Sequence, residues 1–302
     1  MEACNSYYYA TRNPLGVQGD FTTAPEISQL FGELIGAALA DCWTRAGSPV
    51  AAVYAELGPG RGTLAWDALR VMRKAGFGGA THFVETSPIL REAQRNAVGE
   101  AQWHDTADTL PPVPLLLVAN EFLDALPVRQ FVGDQERHVV VAGGGLAFDR
   151  AGEVVETSPA RNAVAKAVAA HLVAHGGVAL FIDYGHDRGA PGDTLQSVRG
   201  HKYAPVLHMP GEQDLTAHVD FEAVAAIARE AGALVTSLVT QRVWLNRLAI
   251  GERAAALADA NPERAEELAS AVQRLTGRSE MGELFKVLAI RSPDWPEPAG
   301  FE

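Results

Sequence analysis

Seven consecutive residues, Glu56-Leu57-Gly58-Pro59-Gly60-Arg61-Gly62, bring one carboxylate and three glycines into a short stretch. Glycine lets a chain turn sharply and lets backbone N–H groups come close to a ligand that side chains would hold off. Such a loop alone is shared by nicotinamide sites, flavin sites and purely structural turns. Here the spacing is G-x-G-x-G, not G-x-G-x-x-G, and Glu56 stands two residues ahead of the first glycine. A carboxylate there suits a cationic ligand with an ammonium group and disfavours a pyrophosphate. Glu85 comes 23 residues after Gly62, at the end of the next apolar stretch. An acid so placed accepts both ribose hydroxyls of an adenosine. The alternative is a tight strand–helix turn, with Glu85 simply ending a strand.

Two more positions follow the same logic. Asp105, after a third short strand, is placed to meet an adenine amino group; its alternative is a solvated loop acid. Asn120 and Glu121 close a fourth strand, where the ligands of open α/β sheets collect.

These residues need elements to carry them. Ala52–Leu57, Thr81–Glu85, Ala101–His104, Pro114–Asn120 and Gly177–Tyr184 read as strands. Thr63–Ala75, Pro88–Val98 and Ala160–Ala174 read as helices between them. Alternation of this kind predicts an α/β fold, with a mostly parallel sheet and helices on both faces. Ahead of it, Thr23 to Gly47 reads as one helix, opened by a capping box of Thr23 and Glu26 with Pro25 in the first turn. Val132–Phe148 reads as a hairpin and Gly185–Asp220 as one long loop. Phe221–Ala231, Val243–Ala258 and Pro262–Leu275 read as helices, and Leu234–Thr240 and Leu284–Ile290 as strands. The expected organisation is an N-terminal cap helix region over residues 1–47 and a nucleotide-binding domain over 48–302. That domain carries inserts at about 132–175 and 185–220 that cover the ligand face.

Composition sets limits. The chain has 302 residues, 47% of them hydrophobic, and a formal net charge of −12. Nucleic-acid binding depends on Lys and Arg neutralising phosphates, which an acidic chain without a basic run does not offer. Cys4 and Cys42 form no paired motif, which argues against a disulfide framework and a zinc cluster. The nine histidines show no ligand spacing backed by acids, so no metal is expected. G-x-S-x-G is absent, which disfavours a hydrolase of that type. The start of the chain has no apolar core of a signal peptide, and apolar runs such as Leu115–Ala119 are too short to span a bilayer. The expectation is a soluble bacterial protein of the cytoplasm without membrane insertion, with a homodimer among its assemblies.

Several segments together resemble the MidA-like methyltransferases that use S-adenosylmethionine (SAM). They are Gly19–Gln29 (GDFTTAPEISQ), Glu56–Thr63, Val84–Pro88, Asn120–Val128 (NEFLDALPV), Ile182–Gly185, Gly192–Gln196 and His218–Phe221. The likeness runs from about Tyr7 to Ile290. It implies a class I, Rossmann-like methyltransferase fold with a family-specific cap, and SAM as methyl donor held by Glu56, Gly58, Gly60, Gly62, Glu85, Asp105 and Asn120. Eukaryotic members are mitochondrial assembly factors of respiratory complex I that dimethylate a protein arginine, so the resemblance implies a protein acceptor, a respiratory complex subunit by analogy. It also implies a helical segment ahead of the tyrosine pair, whereas Tyr7 stands almost at the start of this chain.

Methyl transfer from a sulfonium is an in-line displacement that needs an aligned nucleophile, a dry site and an acceptor for one proton. An arginine nucleophile is always charged, and carboxylates fix its planar fork. Glu121 and Asp124 are expected to grip that cation, with Glu26 near cofactor or substrate. The alternatives are the capping box for Glu26 and a turn acid before Pro127 for Asp124. Asp183, Tyr184 and His218 form a second rank. A small-molecule methyltransferase and a SAM-binding assembly factor with little turnover are the competing functions; the G-x-G-x-G spacing speaks against a nicotinamide dehydrogenase.

Overall fold

The structure is a computed structural model that describes residues 1–11, 16 and 19–301. Five strands, β1 (Val53–Leu57), β2 (Thr81–Val84), β3 (Gln102–His104), β4 (Leu115–Asn120) and β5 (Gly177–His186), pair in parallel. β6 (Leu234–Val235) and β7 (Phe285–Arg291) extend the sheet in the order β3-β2-β1-β4-β5-β7-β6, with β7 antiparallel to β5 and β6, and the short Val219–Asp220 pairs with the end of β5 off this path. The single strand expected over Leu234–Thr240 is two short ones, since Val239–Thr240 also pairs with β7.

The period of two along each strand builds two separate cores. Tyr54, Leu116, Val118, Leu180 and Ile182 face one side, and Ala55, Leu117, Ala119, Ala179 and Phe181 the other. Helices α6 (Pro159–His175) and α7 (Phe221–Glu230) cover the second face with Ala165, Val168, Leu172, Phe221 and Val224.

The first face is covered by α4 (Thr63–Lys74), by α8 (Gln241–Arg247), α9 (Ile250–Ala260) and α10 (Ala265–Thr276), and by α3 (Gln29–Arg45). Thus α3, expected within the cap region 1–47, shares its buried Leu30, Phe31, Ile35 and Leu39 with the sheet's own core. Gly32 and Gly36 let it lie directly on α4. A Cβ on Gly36 would come within 2.5 Å of the Ala68 carbonyl oxygen.

Three readings of local structure change. The helix from Thr23 breaks at Ser28, which is extended (φ −164°) and caps α3 by accepting from the Leu30 N–H at 3.3 Å. The short α2 (Ala24–Ile27) precedes it, and Thr23 makes no side-chain cap, so the capping box does not form. The helix expected over Val243–Ala258 breaks at Ala249, whose φ is +61°. The segments expected as one hairpin and one long loop are organised into small antiparallel sheets. Arg129–Val132 pairs with Gln135–Glu136 and Val154–Thr157, Val139–Ala142 pairs with Gly145–Phe148, and Gln196–Arg199 pairs with Lys202–Tyr203 and Asp214–Thr216.

A helix not expected from the sequence, α1 (Glu2–Thr11), lies across the carboxyl ends of the strands. Its Asn5 amide donates to the carbonyls of Ala125 (2.9 Å) and Leu215 (2.8 Å), and Tyr9 Oη donates to Asp214 at 2.8 Å. Within the expected cap region, residues 12–15, 17 and 18 lie outside the described residues. Among the described residues no helix is long and apolar enough to cross a membrane.

Candidate active site

A cavity of about 680 Å³ opens where β1 and β4 diverge into their loops, roofed by α1. Open α/β sheets place their ligands at this switch point. Glu26, Glu56, Gly58, Gly60, Glu85, Asp105, Asn120 and Glu121 all line it. Gly62 and Asp124 do not.

The glycines of the loop have separate tasks. All three have positive φ: +62° at Gly58, +54° at Gly60 and +83° at Gly62. A Cβ on Gly58 would stand 2.8 Å from the ring of Phe122, so this glycine lets the two loops close on each other. Gly62, at the N-terminus of α4, faces Ala97, Val98 and Gln94 of α5 (Pro88–Val98), away from the cavity.

Glu56, one residue before the end of β1, is a buried carboxylate that accepts from Tyr54 Oη at 2.7 Å. Tyr54 precedes it by two and therefore shares its face of the strand. Burial pushes the Glu56 carboxyl up to about 8, against the pull of that bond. Glu85 follows β2. Its Oε1 accepts from the Ser87 N–H at 2.7 Å and its Oε2 from Gln94 at 3.3 Å, and burial raises its pKa. Gln94 is fully buried and also donates to the Gly60 carbonyl at 2.7 Å, while its own oxygen accepts from Trp103 at 2.7 Å. One side-chain amide therefore links the glycine loop, the acid on the next strand and β3. Asp105 is different: its side chain is 80% exposed and pairs with Arg91 at 2.6 Å on the rim.

The other half of the cavity centres on Glu121, at φ +49°. Its Oε1 accepts from the Ala24 N–H at 3.1 Å and from Asn120 at 3.2 Å. Burial is the main cause that pushes its carboxyl up to about 8, with Asp124 and Asp214 adding to it. Asn120 Oδ1 is buried without a hydrogen-bond partner, an acceptor that calls for a donor. Glu26 forms an ion pair with Arg61 and accepts from Thr63 Oγ1 at 2.5 Å, so its carboxylate serves the wall of the cavity in place of a helix cap.

Asp124 lies behind this wall. Its Oδ2 accepts from Tyr184 Oη at 2.6 Å, and its Oδ1 is buried without a partner. Asp183 accepts from the N–H groups of Leu123, Asp124 and Tyr184. His218 lines a second cavity of about 350 Å³, with His186 and Arg161, on the far side of residues 127–129 and the first turn of α6.

Sequence reasoning missed Tyr9, Asp214 and Arg161. For Arg161 a signal existed: it shares the buried face of α6 with Ala165, Val168 and Leu172, a place where a charge needs a reason. Tyr9 and Asp214 meet across some 205 residues of chain, which no local pattern reveals.

Comparison with known proteins assigns this architecture. A family described as "Putative S-adenosyl-L-methionine-dependent methyltransferase" matches residues 34–145 and 139–239. The chain belongs to that family. Among its relatives, the mitochondrial protein arginine methyltransferase NDUFAF7 of Danio rerio is 32% identical over 94% of this chain and 79% of its own length. The homologue from Drosophila melanogaster is 35% identical over 94% of this chain and 77% of its own. A solved structure described as a "likely methyl transferase from Burkholderia thailandensis bound to S-adenosyl-homocysteine" superposes with a TM-score of 0.85. It is 30% identical and covers 97% of this chain and 85% of that one. The protein is a SAM-dependent methyltransferase of the α/β class, and SAM is its cofactor. The cavity fits that group: the orphaned Asn120 oxygen and the buried Glu56 both call for a partner that brings N–H donors and positive charge.

Proposed function

We propose that the protein methylates a guanidinium nitrogen of an arginine carried by a partner protein. Glu121 carries this reading. It offers a half-buried carboxylate in the same cavity as the cofactor groups, with a raised proton affinity and a pair of donors behind it. The names of the curated relatives, which match over 94% of the chain, point the same way.

When bound, the cofactor supplies an electrophilic methyl group on a sulfonium. In this reading Glu56 meets the positive amino-acid end, Asn120 Oδ1 accepts one of its N–H groups, and Glu85 takes the ribose hydroxyls. Asp105 contributes at the adenine rim. Glu121 pairs with the arriving guanidinium and turns one nitrogen toward the methyl group. It then takes the proton which that nitrogen sheds, a task suited to a carboxyl poised near neutral pH. Asp124 acts at one remove: its charge behind the wall raises the proton affinity of Glu121. Glu26, fixed by Arg61 and Thr63, keeps the wall closed to water. The acceptor by analogy is a subunit of a respiratory complex, and the setting is a bacterial cytoplasm.

A metabolite acceptor is the second reading, favoured by the roof that α1 lays over the cavity. Radiolabelled SAM incubated with the protein and a cell lysate separates them. Label on one protein band that yields methylarginine on hydrolysis supports the first reading. Label in the small-molecule fraction supports the second, and no label supports a SAM-binding assembly factor.

A further inference from the structure

Glu121 adopts a left-handed conformation that side-chain-bearing residues avoid, yet its N–H still donates to the Ile182 carbonyl at 2.9 Å. The chain that follows must be held for this geometry to persist. The peptide group joining Leu123 to Asp124 is gripped at both edges. Its carbonyl accepts from Arg161 Nε at 2.7 Å, and its N–H donates to Asp183 Oδ2 at 3.2 Å. The same two side chains continue on either side. The Leu123 N–H donates to Asp183 Oδ2 at 3.0 Å, and the Asp124 carbonyl accepts from Arg161 Nη2 at 3.3 Å. Arg161 also donates to the carbonyls of Ala217 and His218, each at 2.6 Å.

Both side chains are buried, at 5% and 1% exposure. Burying a guanidinium is costly, and an apolar residue on this face of α6 would pack without that cost. Among the described residues the guanidinium hydrogen-bonds only backbone carbonyls, those of the loop that leaves β4 and of the segment beside it. Its position across the peptide group from Asp183 sets a donor fork at the carbonyl edge and an accepting carboxyl at the N–H edge, along the dipole of the group.

We propose that Arg161 and Asp183 are positioning residues that clamp the Leu123–Asp124 peptide group from both edges and so hold the Glu121 carboxylate fixed against the cavity wall. The proposal rests on the reading of Glu121 as the group that meets the acceptor. The groups that face Glu121 are Asp124 on its own loop, Asp183 on β5, Asp214 on the strand Asp214–Thr216, and the donors Ala24 N–H and Asn120.

The test needs no acceptor. Protein labelled with ¹³C at glutamate carboxyls reports the titration of Glu121, assigned by its absence in Glu121→Gln, while calorimetry with S-adenosylhomocysteine reports the cofactor site. Arg161→Lys removes the fork but keeps the charge. The expected result is a Glu121 midpoint lower by about one unit or more, a tenfold fall in proton affinity, with cofactor-product affinity within about threefold of wild type. A midpoint that stays in place in a variant with intact affinity overturns the clamp. Should Arg161→Lys fail to fold, hydrogen exchange in the wild-type protein decides. Slow exchange at the Leu123 and Asp124 amides supports the clamp, and exchange at the rate of an open loop overturns it. Labelled methyl transfer by Glu121→Gln tests the underlying reading separately, so the two failures are told apart.

Discussion

The two halves of the cavity are built by opposite means. Under β1, β2 and β3 the polar groups come from two short stretches, Glu56–Thr63 and Glu85–Gln94, joined by the Gln94 amide. Under β4 and β5 they come from segments scattered along the chain: Asn5, Tyr9, Ala24, Glu121, Asp183 and Asp214. In the proposed reading the first half holds a cofactor common to many enzymes, and local geometry suffices for it. The second must suit one acceptor, and it exists only once distant segments have met. The cofactor half should therefore answer to changes within its own loop, and the acceptor half to changes far away in sequence.

The largest effect expected is on the acceptor side alone. Glu121→Gln should lower methyl transfer by roughly 10²–10⁴-fold, the usual scale for a lost acid–base group, while SAM affinity measured by calorimetry stays within a few-fold. Loss of affinity in parallel would erase the distinction between the halves. On the cofactor side, Gly58→Val places a branched side chain at φ +62° and into the Phe122 ring. Strain of about 1–3 kcal/mol should weaken SAM binding by one to two powers of ten.

The pH dependence sharpens the same contrast. The Glu56 carboxyl sits at about 8 in the folded protein, far above its unfolded range. Between the two values the native state keeps a proton that the unfolded chain has lost. The contribution of Glu56 to the stability of the ligand-free protein is thus full below the unfolded value and declines as pH rises through that window. A cationic ligand needs the ionised form, so SAM affinity should climb by up to about tenfold per pH unit on the approach to pH 8. Glu56→Gln should flatten that slope in a calorimetric series; an unchanged slope would assign the proton elsewhere.

Gly36→Val tests the frame beneath both halves. The new side chain collides with the Ala68 backbone, and overpacking of this kind costs about 1–3 kcal/mol. Thermal unfolding should shift down by several degrees while SAM affinity at 20 °C holds. The smallest effect is expected for Asp105→Ala. An exposed ion pair contributes less than about 1 kcal/mol, so SAM affinity should change by no more than about threefold.

Legibility in the sequence follows the same division. The parallel core was readable because β1, β4 and β5 are buried on both faces over their apolar stretches, with polar residues only toward their carboxyl ends. The glycine loop, Glu56 and Glu85 were readable because their chemistry depends on spacing along one chain. The break at Ser28 was not: its neighbours keep helical periodicity, and only the pull of Glu26 toward Arg61 and Thr63 shows why the helix must restart. Asp124 looked like a cavity acid because it stands three residues from Glu121. The turn held by Asp183 points it the other way, toward Tyr184.

The Gln94 amide has one further consequence. Trp103 offers only a donor, so the Gln94 oxygen must face it and the NH₂ must face Gly60 and Glu85. The amide cannot flip without breaking bonds at both ends. The nucleoside half of the cavity is therefore already ordered before any ligand enters, and the loss of freedom that would oppose binding there is met when the chain folds. Substitutions at Trp103 and Glu85 should accordingly be non-additive, since both act through one shared hinge pin of the cradle.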